Sequence, residues 1–214
     1  MPILTNPEFD VLSYGYICMD NIIRVPYLPT PARGPHAISE TKVLGGNATN
    51  TAAYLAKWGL KVALTGYRIG EDYLGTLFME EVTRVHNLSP KYLERAAGKK
   101  SMYCHCIITP DGERSMIGVD DDLVGLTHPT PEMIRDCRVL SMDLYGEIDD
   151  LVLAARLAHD AGIPVVIGDL QDSDHPILPW ASVAIASADV LRHEYPGRPL
   201  DEIARAVQQA GTPE

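Results

Sequence analysis

Residues 45–75, GGNATNTAAYLAKWGLKVALTGYRIGEDYLG, decide how this chain is read. The stretch opens with two glycines and two asparagines, runs through a short helix stopped at Gly59, crosses a strand, and re-emerges in a second glycine-marked loop containing Asp72. Gly45 and Gly46 follow a strand-like segment and let the backbone approach a ligand in dihedrals that a Cβ would forbid. Asn47, Thr49 or Asn50 can cap the following helix, leaving first-turn N–H groups to face a polar or anionic ligand. An ordinary glycine turn with a helix cap fits the same residues, and the stretch alone leaves both readings open.

Outward from it, the chain alternates strand and helix. Residues 11–15 form a short apolar strand that delivers Asp20 a few residues beyond its end, where an acid suits either a site or a turn. Residues 21–44 are rich in proline and glycine and hold two candidate strands, 22–25 and 36–43, with no helix between them, which predicts a projecting flap. After the helix of 49–58 and a strand at 61–65, Asp72 starts a helix. Its Leu74, Leu77, Phe78, Val82 and Val85 recur at the three-four spacing of a buried face.

From Ser101 the period changes to two. Residues 102–109 and 114–119 flank Pro110-Asp111-Gly112-Glu113, a hairpin turn whose residues supply the needed dihedrals. With residues 21–44 this hairpin is expected to make a small separate sheet, a lid over one end of the domain. Alternation then resumes: Thr130 caps a helix opening at Pro131, strands follow at 138–142, 164–167 and 183–186, and helices at 149–159 and 200–210. The order predicts one α/β domain over residues 1–214, a mainly parallel sheet covered by helices on both faces. Asp143, Asp169 and Ser187 stand at strand ends. After the helix closed by Gly211 the rhythm calls for another strand and none follows, so the chain is expected to be cut.

Composition narrows the function. A hydrophobic content of 46% and a charged content of 22% are those of a globular protein, and 214 residues suffice for one sizeable domain. The net charge of −11, with no basic run, argues against a nucleic-acid partner. No apolar run reaches the ~20 residues needed to span a membrane. Cys18, Cys104, Cys106 and Cys137 show no CxxC spacing, and the N-terminus lacks a signal-like pattern, so a reduced, cytoplasmic protein is expected. Cys104 and Cys106 share one face of a strand with His105 on the other, a poor arrangement for a metal, and no metal site is expected. There is no P-loop, no G-x-G-x-x-G after a strand, no G-x-S-x-G elbow and no HExxH pair.

What remains is the Gly45-Gly46-Asn47-Ala48-Thr49-Asn50 helix start, Gly59, Gly66, the Gly70-Asp72-Gly75 loop, and a hairpin with Gly112-Glu113-Arg114. In this order the features resemble the ribokinase or PfkB family of carbohydrate kinases over essentially the whole chain. The resemblance implies a three-layer α/β/α fold with a small β-sheet lid. It also implies a transferase that moves the γ-phosphoryl group of MgATP to a sugar hydroxyl, with ATP and Mg2+ as cofactors. Asp20, Gly45, Gly46 and Asn50 would form the sugar site, with Asp143 as a strand-end contact or a structural acid. Arg114 would reach in from the lid or pair within its turn. Lids of this family often meet across a homodimer.

The chain also departs from the pattern. Cys18 stands where many relatives carry asparagine, and the Asn-x-x-Glu segment linked to metal and phosphates is represented by Ser187-Ala188-Asp189-Val190, closer to the ketohexokinase-like branch. The catalytic aspartate and the G-A-G-D-like anion hole are expected beyond Glu214, and this chain alone is therefore expected to be inactive. A non-catalytic sugar-binding or assembly protein derived from a kinase, and a nucleoside kinase of the same family, are the alternatives.

Overall fold

Phe9–Gly15 (β1) is the strand around which the rest is laid, and all but one of its seven residues are buried. A run buried on both faces belongs in the middle of a parallel sheet, and β1 has a parallel neighbour on each side. In the computed structural model, which describes residues 7–119 and 124–213, the chain continues through Cys18–Arg24 (β2), Ser39–Gly45 (β3), Asn47–Lys57 (α1), Val62–Gly66 (β4), Ile69–Gly70 (β5), Tyr73–Arg84 (α2) and Leu88–Ser89 (β6). Arg95–Ala96 (β7), Tyr103–Ile108 (β8), Arg114–Val119 (β9), Pro131–Arg135 (α3), Cys137–Met142 (β10) and Ile148–Asp160 (α4) follow. Val165–Ile167 (β11), Val183–Ala184 (β12), Ala188–Glu194 (α5) and Leu200–Gln209 (α6) complete the order.

The main sheet runs β12-β11-β10-β1-β4-β6, all parallel. On one face α1 and α2 bury Ala52, Ala56, Phe78 and Val82 against Val62 and Leu64 of β4. On the other, α3 and α4 bury Ile134, Leu151, Ala154 and Ala158 against Leu12, Leu140 and Ile167. Each large side chain so buried contributes about 1.5–3 kcal/mol. The helix from Asp72 packs through the face that its spacing predicts, and Asp72 caps it by accepting the Gly75 N–H at 2.7 Å. The same carboxylate also accepts the Ser101 N–H and hydroxyl, both at 2.8 Å, which ties α2 to the start of β8. Thr130 caps α3 through the Met133 N–H.

The lid is a second, four-stranded sheet in the order β3-β2-β8-β9. Its two antiparallel hairpins are the ones expected at 21–44 and 101–119. They are joined by a parallel β2–β8 pairing that sets Asp20 beside Cys104 and Ile22 beside Cys106. The strand β2 starts at Cys18, so Asp20 lies within a lid strand and not in the loop expected after β1. On the hairpin, Ile117 is exposed and Ile107 half-buried.

Candidate functional site

The two glycines of the signature each make room for something specific. A Cβ on Gly45 would sit 2.3 Å from the Asp20 carboxylate, so glycine lets β3 pass that side chain without displacing it. Gly46 has φ 92°, and a Cβ there would lie 2.3 Å from the Tyr16 carbonyl oxygen. That carbonyl accepts the Ala48 N–H at 3.1 Å and so fixes how α1 meets the β1–β2 connection. Gly46 is itself the residue that starts α1, and no side chain caps the helix. The expected caps act elsewhere: the Asn47 amide donates to Asp169 at 3.2 Å, Thr49 is fully buried, and Asn50 is exposed.

Asp20 is half-buried on the lid, and burial raises its pKa against the opposing pull of the Cys18 thiol, which donates to it at 3.3 Å. That thiol is its hydrogen-bond donor among the described residues. A carboxylate has about four lone-pair positions, so most of the acceptor capacity of Asp20 is open to a ligand hydroxyl.

Asp143 is built differently. It is 4% exposed at the carboxyl end of β10 and accepts the Tyr16 N–H at 2.8 Å and the Tyr145 N–H at 3.1 Å, and the Ala48 N–H, whose acceptor is the Tyr16 carbonyl, also favours its charged form. Burial pushes its pKa up to about 7 against the pull of these three donors. Its carboxylate therefore ties the end of β1 to the end of β10. Beside it, Asp169 has φ 60° and accepts the Tyr145 hydroxyl at 2.7 Å as well as Asn47. A non-glycine residue in that conformation is uncommon and is held by its surroundings. The rings of Tyr67 and Tyr145 both pack on Tyr16, with centroids 5.8 and 5.9 Å away. These tyrosines were not singled out from sequence, since nothing in their spacing announces that they converge.

Asn47, Asn50, Asp143 and Asp169 line an open cleft of about 480 Å³ between α1 and the carboxyl ends of β10 and β11, the position favoured for ligands in such sheets. Asp20 does not line it. It stands on the lid side of Gly45, so the expected site residues fall into two groups joined by the Gly45-Gly46 hinge. Arg114 belongs to neither. It pairs with Ile108, four residues along β8 from the partner of Asp20, which is about 13 Å of strand.

No cradle for the phosphates of ATP is found among the described residues. The Ala48 N–H at the start of α1 is already bonded, and Asp189 of the Ser187-Ala188-Asp189-Val190 segment pairs with Arg192 at 2.9 Å on the surface. Among the described residues no helix is long and apolar enough to cross a membrane.

The comparisons agree with this architecture. The chain is 27% identical over 220 residues to the ATP-dependent ribose-1-phosphate kinase of Halopiger xanaduensis, covering 92% of this chain and 70% of that protein. It superposes on Arabidopsis thaliana ribokinase, solved with ribose and ATP, with TM-score 0.77 at 18% identity, covering 95% of this chain and 70% of that one. Halothermothrix orenii fructokinase gives 0.77 at 18% identity over 94% and 76%, and Methanocaldococcus jannaschii nucleoside kinase 0.70 at 13% over 94% and 69%. At such identities the likeness carries the fold. The chain spans between 66% and 76% of the length of these and other solved structures of the fold. Residues 8–192 match the sequence profile described as pfkB family carbohydrate kinase, so the chain belongs to the PfkB family, with a ribokinase-like fold.

Proposed function

We propose that this chain is the sugar-binding portion of an ATP-dependent kinase that transfers the γ-phosphoryl group of MgATP to a sugar hydroxyl. The observation that carries the reading is the fit of Gly45 around Asp20, a half-buried carboxylate with most of its lone pairs open at the seam of lid and sheet. Paired O–H donors of a sugar match such an acceptor, and an apolar pocket does not. In this reading Asp20, Gly45, Gly46 and Asn50 hold the sugar, Arg114 reaches toward it from the hairpin when the lid closes, and Asp143 keeps the floor in shape. The protein is placed in the cytoplasm, in keeping with four free thiols, and pairs as a homodimer through the exposed edge and the Ile117 side of the lid.

The test is calorimetric titration of the 214-residue chain with ribose, fructose, ribose 1-phosphate and a nucleoside, without nucleotide. One of these should bind; a folded chain that binds none of them overturns the sugar site. The same chain is expected to turn over none of them with MgATP, because no G-A-G-D-like segment occurs in its 214 residues. Turnover by this chain would refute that part. Sedimentation analysis showing a monomer would remove the dimer.

A further inference from the structure

The parallel β2–β8 pairing does something that the spacing of the cysteines conceals. Cys104 and Cys106 lie on one face of β8, as alternation dictates, and the neighbouring strand places Asp20 on the same face, level with Cys104. One ligand atom from each of Asp20, Cys104 and Cys106 lies within 4.8 Å of the others. The two sulfurs are 3.9 Å apart. Two thiolates on a tetrahedral Zn2+ at ~2.3 Å stand about 3.8 Å from each other, so this pair is spaced for one shared ion. The Cys18 sulfur, 3.3 Å from the Asp20 carboxylate, lies outside this group, which leaves the fourth position of a tetrahedral ion to solvent.

The same pair is badly placed for a disulfide. Residues two apart on a strand have Cα atoms about 6.7 Å apart, at the outer limit of what a disulfide spans. Burial also raises the Cys106 thiol to about 12, which keeps it from acting as a free nucleophile. A metal removes that barrier, because coordination displaces the thiol proton outright.

We propose that the inner face of the lid binds one thiophilic divalent cation of the Zn2+ class through Asp20, Cys104 and Cys106, with solvent completing the set. Two sulfurs and one carboxylate oxygen select a borderline-soft ion over Mg2+ or Ca2+. The ion takes up the carboxylate that faces the lid and joins β2 to β8. If Asp20 also holds a sugar, as proposed above, ion and sugar exclude each other there. The metal site itself does not depend on that reading, because it is measured with no sugar or nucleotide present.

The experiment titrates the chain with Cd2+ alone in a phosphine reductant and follows the sulfur-to-cadmium charge-transfer band. One equivalent should saturate the band at an intensity expected for two thiolates. The C104S/C106S double variant should lose it. D20N should retain the band with affinity weakened at least about tenfold. C137S, whose sulfur lies in the main core, should titrate like the parent. Circular dichroism on each variant separates lost binding from lost fold, and the parent and D20N titrations stand even if the double variant does not fold. No band at one equivalent, a band that survives the double variant, or an unchanged affinity in D20N overturns the proposal.

Discussion

The end of the main sheet and the lid each hold one aspartate near the same glycine hinge, and the two are used in opposite ways. Asp143 is buried, with two backbone N–H groups on its carboxylate. Asp20 is half-buried and receives a single weak thiol donor. An acid whose lone pairs are taken is part of the construction. An acid whose lone pairs are open has capacity for a ligand. The difference follows from where they stand: Asp143 lies just past the end of β10, within reach of the Tyr16 and Tyr145 N–H groups, whereas Asp20 lies inside a lid strand, whose neighbours pair their backbone groups with one another.

The sharpest way to break this comparison is Asp143→Ala. Removing the carboxylate leaves the Tyr16 and Tyr145 N–H groups without their acceptor, and the expected cost is about 2–4 kcal/mol in urea unfolding. A loss below about 1 kcal/mol would show that water replaces the carboxylate and that Asp143 is no tie. The same residue gives a pH signature. An unfolded aspartate titrates near ~3.9, whereas the folded value is raised to about 7. The folded state thus holds the extra proton between these values, so the contribution is complete below about pH 4 and is lost as the pH rises through about 7. Asp143→Asn should flatten that decline, and an unchanged stability profile would contradict the assignment.

Gly45→Ala tests the hinge from the other side. Its Cβ would meet the Asp20 carboxylate, so the strand or the acid must move, at about 1–3 kcal/mol of stability. The sugar affinity should fall with it. Asp20→Asn should leave stability within about 0.5 kcal/mol while weakening sugar binding about 10- to 100-fold, since hydrogen bonds to a charged group contribute about 1.5–3 kcal/mol each. Equal losses of stability in Asp20→Asn and Asp143→Asn would erase the distinction. The smallest effect is expected for Arg114→Ala: stability unchanged within about 0.5 kcal/mol, with any change confined to sugar affinity in the calorimeter.

Much of the scaffold was legible in the chain because local chemistry wrote it. The three-four spacing of Leu74, Leu77, Phe78 and Val82 marks the buried face of α2, and Thr130 with Pro131 marks the start of α3. The Pro110–Glu113 turn marks the β8–β9 hairpin. Two-residue strands such as β5, β6 and β7 carry too few residues for any period, and the cap of α1 was misread because three polar residues stood where glycine does the work. Of the candidate site, the glycines and Asp20 were visible as a pattern, while Asp169 showed only as a strand-end acid and Tyr16 and Tyr145 showed nothing.

The sequence by itself determined the family, the alternation of strands and helices, the position of the lid hairpins and the residues that had to be glycine. These depend on contacts within a few residues or on a pattern kept in order along the chain. Only the tertiary structure decided that Asp143 is tied while Asp20 is open, and that Asp20 stands level with Cys104. Both outcomes rest on pairings across long stretches of chain, β1 with β10 and β2 with β8, and strand alternation says which residues share a face but never which strand lies beside them.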